Sequence, residues 1–192
     1  DTVPVNWYQL PNLETPVAST ASFLTDSLST STTYYLSRRV SGQVGQTDFG
    51  QTPNFTRLGG GLRFDCYRPF TLKSVEAFCQ SDGIRVIRLL DSDGNVLSEA
   101  SPFMTLGIQP IELNFPVPEG EDLELVMIGT NVQSNPSGST YPYELMPFVS
   151  IKAPTAPGAA AEEYPYFFNW QIEGESCPVE VPVAVGNGAA NA

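Results

Sequence analysis

The chain has 192 residues, 41% of them hydrophobic and only 16% charged, and its 17 prolines and 16 glycines favour short strands joined by turns over long helices. Its formal net charge of −12 repels nucleic acid and anionic lipid, so neither is an expected partner. No run of about 18 apolar residues is present, and the sequence therefore predicts no insertion into a membrane.

Residues 1–40 differ in composition from the rest of the chain. A Ser/Thr-rich stretch over 19–33 leads into residues 32–36, Thr-Thr-Tyr-Tyr-Leu, whose β-branched and aromatic side chains predict a strand. Residues 41–61 are rich in Gly, Gln and Thr. We interpret them as a linker or loop that ends in the flexible triplet Gly59-Gly60-Gly61.

The next part of the chain carries strand signals at a spacing of roughly 8–12 residues, which is the pattern of an all-β antiparallel sandwich. Apolar and polar residues alternate over 111–117, so that one face of this strand is buried. Aromatic residues over 164–172 and valines over 179–185 continue the two-residue period. We predict that 62–185 form one jelly-roll sandwich and that 186–192 are a flexible tail or linker.

The order of several motifs resembles a module of large secreted proteins from Bacteroidetes-type bacteria. The motifs are residues 69–75 (PFTLKSV), 89–96 (LLDSDGNV), 111–120 (IELNFPVPEG) and 164–172 (YPYFFNWQI). This resemblance implies export, often by the type IX route, and a location outside the cell or on its surface. It also implies a role in adhesins, surface filaments or the accessory regions of secreted hydrolases.

The N-terminal part has a resemblance of its own. Residues 15–18 (TPVA) and the strand within 28–36 resemble the last strands of an Ig-like repeat that often precedes this module. The resemblance implies that 1–40 are the C-terminal part of such a repeat. The chain would then be a segment of a modular array, with neighbouring β-modules of the same or another chain as partners.

The sequence contains no histidine, which removes Ser–His and Cys–His nucleophile pairs and zinc sites of the H-E-x-x-H type. No phosphate-binding glycine loop is present either. A hydrolase with two carboxylates needs no histidine and stays open as an alternative. We predict that the chain is not an enzyme.

The loop Asp91-Ser92-Asp93-Gly94-Asn95 has two interpretations. Its alternating Asp and Asn oxygens are ligands that calcium prefers, which makes Asp91 and Asp93 candidate metal ligands and calcium the one candidate cofactor. The same residues are typical of a tight turn between two antiparallel strands, in which Asp-Gly supplies the backbone geometry and no metal is needed.

Two cysteines, Cys66 and Cys79, fall on predicted neighbouring strands. If those strands pair, a disulfide between them is feasible, and otherwise both are thiols. Cys177 would then be left as a thiol or form a bridge to another chain.

Tyr141 and Tyr143 flank Pro142 beside a loop rich in Gly, Ser and Asn, and are the candidate ligand-binding residues. Sugar-binding modules present flat aromatic rings in such places, whereas packing at the rim of the sandwich is the alternative. The sequence thus favours a non-catalytic structural or adhesive module of a secreted protein. A carbohydrate-binding module that accompanies a secreted hydrolase, with glycans as partners, is the second hypothesis.

Overall fold

The computed structural model describes residues 5–11, 15–49 and 59–185. Within these ranges the chain forms strands and no helix, so the described part contains no helix that could cross a membrane. The strands are β1 (Val5–Tyr8), β2 (Ala18–Thr20), β3 (Thr32–Ser37), β4 (Arg39–Val44), β5 (Gly61–Cys66), β6 (Phe70–Cys79), β7 (Gly83–Ile84), β8 (Val86–Leu90), β9 (Val96–Ala100), β10 (Phe103–Met104), β11 (Gly107–Val117), β12 (Gly120–Ile128), β13 (Ser134–Asn135), β14 (Tyr143–Leu145), β15 (Val149–Pro154), β16 (Tyr164–Pro165), β17 (Phe168–Glu175) and β18 (Val179–Val183).

The chain divides into two compact units. Unit 1 comprises Asp1–Val40 and Glu175–Ala192, and unit 2 comprises Ser41–Gly174. These boundaries differ from the domains expected from the sequence in two places. Strand β18, which was expected in the 62–185 sandwich, pairs with β3 in unit 1, and β4 occupies the start of the expected 41–61 linker. The expected tail, 186–192, lies outside the described residues.

Unit 1 contains one four-stranded sheet in the order β18-β3-β1-β2, with antiparallel pairing throughout. Trp7 and Tyr34 lie on one face of this sheet because their registers place them there together. The ring of Phe23 covers this face, with its centroid 5.8 Å from that of Trp7 and 5.3 Å from that of Tyr34. An aromatic cluster therefore covers one face of the unit 1 sheet.

Unit 2 is built mainly from two antiparallel sheets. One has six strands in the order β14-β15-β5-β12-β8-β9, and the other has four in the order β11-β6-β17-β4. Phe64 of the first sheet and Trp170 of the second are both fully buried, and their rings meet edge to face at 5.2 Å. The sheets thus pack face to face, and the prediction of an all-β antiparallel sandwich is confirmed. The jelly-roll connectivity stays a prediction.

Strand β11 follows the predicted alternation of buried and exposed residues from Ile111 to Val117. It is the outermost strand of its sheet, which explains how it accommodates Pro110 and Pro116: an edge strand has one side on which no ladder hydrogen bond is needed. The aromatic run over 164–172 is not one strand. It breaks between β16 and β17 at Tyr166, whose φ is 61°.

The cysteines Cys66 and Cys79 are buried thiols, not a disulfide. The strands that carry them, β5 and β6, do not pair, because they belong to different sheets. Burial raises the pKa of Cys66 to about 12, and burial also raises the pKa of Cys79. The disulfide that the sequence left feasible is therefore not formed, and both side chains act as small apolar groups in the core.

Arg85, between β7 and β8, is a buried cation with only 3% of its surface exposed. Its guanidinium donates hydrogen bonds to carbonyl oxygens of three surrounding segments. The accepting oxygens and distances are Ser81 (2.8 Å), Gly83 (3.0 Å), Met104 (3.4 Å) and Thr130 (3.1 Å). One side chain thus holds together the β6–β7 turn, β10 and the segment that follows β12.

Candidate functional site

Tyr141 and Tyr143 form a cluster with Tyr164. Strand β14 sets Tyr143 opposite Ile151 of β15, whose side chain is fully buried, so Tyr143 lies on the inner face of the six-stranded sheet. The ring of Tyr141 is parallel to that of Tyr164 at 5.9 Å, and Tyr143 meets both edge to face at 5.4 and 5.2 Å. The structure thus brings the two predicted residues together around a third, fully buried tyrosine.

The hydroxyl of Tyr141 is engaged within the fold. It donates a hydrogen bond of 2.8 Å to the carbonyl oxygen of Glu163. Burial, with smaller contributions from Tyr143 and Glu163, raises the pKa of Tyr141 far above its usual value. One face of the ring is taken by Tyr164. Tyr141 therefore packs against the fold through both its ring and its hydroxyl. Tyr141 and Tyr143 are both half-buried, so each ring keeps only part of its surface accessible to a ligand.

The carboxylate of Asp91 holds the turn between β8 and β9. Its Oδ1 accepts hydrogen bonds from the backbone N–H groups of Asp93 (3.0 Å) and Asn95 (2.8 Å), and its Oδ2 accepts one from the Asn95 side chain (2.9 Å). The Asn95 side chain and then these backbone donors hold the pKa of Asp91 below its usual value. These hydrogen bonds are those of a tight turn stabilised by an aspartate side chain, which is the second interpretation that the sequence offers for this loop.

Asp91 and Asp93 lie together in this turn, as predicted, but further metal ligands do not join them there. Across residues 5–11, 15–49 and 59–185, no group of three or more Asp, Glu, Cys or His side chains is placed to hold a metal ion. A calcium ion prefers six to eight oxygen ligands. The turn supplies too few side-chain ligands for a calcium site of its own.

A groove of about 400 Å³ lies beside this turn, on the outer face of the six-stranded sheet. Arg63 and Glu124 line it and form an ion pair of 2.9 Å between neighbouring strands β5 and β12. Lys152 of β15 bridges Asp65 at 2.7 Å and Asp122, which also lines the groove, at 2.8 Å. Charged and hydrogen-bonding groups therefore dominate this surface.

The sequence interpretation did not single out Arg63, Asp65 or Lys152. A signal was available, because Arg63 and Asp65 alternate with buried Leu62 and Phe64 and so share the outer face of β5. Their partners on β12 and β15 could not be identified in the same way, because local alternation does not say which strands are neighbours.

The ion pairs of Lys152 predict a dependence of stability on pH. Lys152, first by its hydrogen bond and then by its charge, holds the pKa of Asp122 below its usual value, and Asp122 and Asp65 hold that of Lys152 above it. A lowered carboxyl pKa stabilises the fold above about pH 4, and this stabilisation is lost as the pH falls through the folded-state value. The raised pKa of Lys152 stabilises the fold up to about pH 10, and this stabilisation is lost only as the pH rises further, through the folded-state pKa.

We therefore expect Lys152→Met to lower the urea midpoint slightly at pH 7, because the pairs are partly exposed to solvent. The variant and the wild type should converge as the pH falls below the pKa of Asp122. Urea midpoints measured across the acid range check this, with Lys73→Met of β6 as the control for loss of a lysine. A difference between Lys152→Met and wild type that stays constant on acidification contradicts the assignment.

Compared with family models, with curated proteins and with solved structures, the chain matches none.

Proposed function

We propose that this chain is a non-catalytic structural or adhesive module of a larger secreted or cell-surface protein, and that it acts as one unit of a filament or repeat array. Its partners would be neighbouring β-modules. The observation that carries the proposal is that the side chains best suited to bind a ligand are used to hold the fold. Asp91 closes its turn, Tyr141 bonds the backbone of Glu163, and Lys152 joins three strands.

The chemistry of the sequence supports the non-catalytic part of this proposal. Without histidine, the chain lacks the side chain that most often transfers protons near neutral pH. The low-charge composition with many prolines and glycines suits a rigid β-module, and the acidic surface keeps such a protein soluble outside the cell. The resemblance of residues 164–172, and of the motifs before them, to a module of large secreted proteins supports the proposed export and the proposed place in a repeat array.

A carbohydrate-binding module is the second candidate, and the groove at Arg63 and Glu124 is what favours it. Planar guanidinium and carboxylate groups hydrogen-bond well to sugar hydroxyls, and the groove is open to solvent. Both groups already bond each other, so a sugar would have to replace or share that ion pair. This competition is why we rank the structural role first.

A glycan array with and without calcium separates the two candidates. We expect the wild-type chain to show no sugar-specific signal above that of the Tyr143→Ala and Glu124→Ala variants. Specific binding that either substitution abolishes would overturn the structural proposal and favour the carbohydrate-binding one. Negative-stain microscopy of the native material provides the positive test: filaments or strings of beads support the proposal, and isolated monomers contradict it.

A further inference from the structure

The first and last described strands of the chain lie on either side of the same strand. In unit 1, β3 pairs antiparallel with β1 on one side and with β18 on the other, so β1 and β18 run parallel to each other. Asn6 lies opposite Ser37 at one end of β3, and Val183 lies opposite Thr32 at the other end. These two levels are separated by about 17 Å along the strand.

This arrangement fixes how a pulling force acts on the sheet. Tension on the chain before β1 and after β18 pulls these strands in opposite directions along their own axes. The hydrogen bonds of the β1–β3 and β3–β18 ladders are perpendicular to the strands, so such tension shears all the bonds of a ladder at once. A force applied across the strands would instead open the bonds one after another.

Side chains reinforce the sheet at the point where the chain leaves unit 1 and returns to it. The carboxylate of Glu175 accepts a hydrogen bond of 2.8 Å from Asn6 of β1 and another from the hydroxyl of fully buried Ser37 of β3. Hydrogen bonds to a carboxylate are about twice as strong as those between neutral groups. Glu175 thereby ties both strands to the segment that leads into β18.

The backbones of Arg38 and Ser176 close the same end of the sheet. The N–H of Ser176 donates to the carbonyl of Arg38 at 2.8 Å, and the N–H of Arg38 donates to the Ser176 hydroxyl at 3.0 Å. We call these two residues the clasp. The whole of Ser41–Gly174 lies between them in sequence, so a force that crosses the clasp does not pass along the chain of unit 2.

We propose that unit 1 is a mechanical shear clamp that carries tension between the two ends of this chain and keeps that tension off unit 2. Load travels from β1 through the ladders to β3 and on to β18. The covalent path through unit 2 becomes loaded only after these ladders break. This inference deepens the proposed function, which supplies the source of tension, because an array outside the cell is pulled through its connected ends.

Single-molecule force measurement on the full chain, with handles at its two termini, tests the clamp. We expect two lengthening steps in a fixed order: first about 200 Å from unit 1, and then about 450 Å from unit 2, at about 3.5 Å per residue. The order follows from connectivity and not from which unit is the more stable. A long step that comes first, or one combined step, would overturn the proposal.

The direction of pulling provides the control for shear. In a Cys177→Ser background, a handle at Val179→Cys replaces the C-terminal one; Val179 is 59% exposed and lies opposite Leu36, near the end of β3 where β1 begins. Tension between this handle and the N-terminus no longer loads the β3–β18 ladder along its length. We expect a first step at severalfold lower force, and an equal force in the two geometries would refute the clamp.

Glu175→Ala tests the reinforcement, with Glu180→Ala as the matched control. Glu180 is an exposed acid of β18, so its substitution removes a negative charge from the same unit as Glu175→Ala does. Glu175→Ala should lower the force of the first step and leave the second unchanged, whereas Glu180→Ala should alter neither. Equal effects of the two variants on the force of the first step would show that Glu175 does not reinforce the clamp. Specific sugar binding on the glycan array would overturn the proposed function, but it would not change the order of the two unfolding steps. Failure of the proposed function and failure of the clamp are therefore distinguishable.

Discussion

Arg85→Met is expected to lower the free energy of unfolding by about 3 kcal/mol or more, because each buried polar group left without a partner costs about 1–3 kcal/mol. Methionine fills much of the same volume but donates no hydrogen bond. The carbonyl oxygens of Ser81, Gly83, Met104 and Thr130 would then lose the donor that the guanidinium provides. Urea unfolding followed by intrinsic fluorescence measures the loss.

The control for this variant is Arg88→Met. Arg88 lies on the neighbouring strand β8 and pairs with Glu99 at 2.6 Å, and both side chains are more than a third exposed. Loss of such a surface pair costs about 1 kcal/mol or less. Comparable losses for the two variants would show that the buried guanidinium does not organise the surrounding turns.

Gly61→Ala is the second substitution with a large expected effect. A Cβ at this position would lie 1.8 Å from the carbonyl oxygen of Leu125 and 2.9 Å from the Cα of Val126. Both are backbone atoms of β12, a strand with neighbours on both sides, so no side-chain rotation relieves the clash. We expect a loss of about 3 kcal/mol or more, the upper end of what overpacking costs, together with faster hydrogen exchange along β5 and β12.

Gly94→Ala provides the matched control. Its φ is 83°, which disfavours alanine, but no heavy atom lies within 4 Å of the added Cβ. The cost there is the left-handed backbone alone, about 1–2 kcal/mol. If Gly61→Ala costs no more than Gly94→Ala, then β5 and β12 do not approach each other as closely as described.

The triplet Gly59-Gly60-Gly61 shows where sequence interpretation fails and why. As a run of glycines it predicts flexibility, yet Gly61 begins the central strand β5, and the carbonyl of Gly60 accepts a hydrogen bond of 2.8 Å from Met127. A glycine in the sequence is compatible both with a flexible backbone and with a backbone that packs closely against a neighbouring strand. The difference depends on the strand that lies opposite, and local composition does not report that strand.

Alternation predicted which face of a strand is buried, as β11 demonstrates, because burial acts on each strand with a two-residue period. It could not predict which strands pair. Cys66 and Cys79 were placed on neighbouring strands by their closeness in sequence, but their strands went to different sheets. The alternating valines of β18 predicted a strand, but that strand was expected in the 62–185 sandwich and pairs instead with β3, which lies far back along the chain.

The candidate site was predictable to a similar degree. Tyr141 and Tyr143 could be paired as candidates because they are two positions apart in the sequence, and the aspartates of the Asp91 turn could be identified from the composition of that loop. The sequence did not identify Tyr164 as the third ring of the tyrosine cluster, nor Lys152 as the cation that pairs with Asp65 and Asp122. Both of these contacts connect residues that only the folded sheets bring close.

The pairing of β18 with β3 also has a consequence for how the protein is made. A ribosome releases β3 long before β18, so the sheet of unit 1 stays incomplete while the residues between these two strands are made. Unit 2 is a continuous stretch, Ser41–Gly174, whose strands are all available before then. Because contiguous domains generally fold as they emerge, we expect unit 2 to reach its native state first and unit 1 to close last, when β18 becomes available to pair with β3.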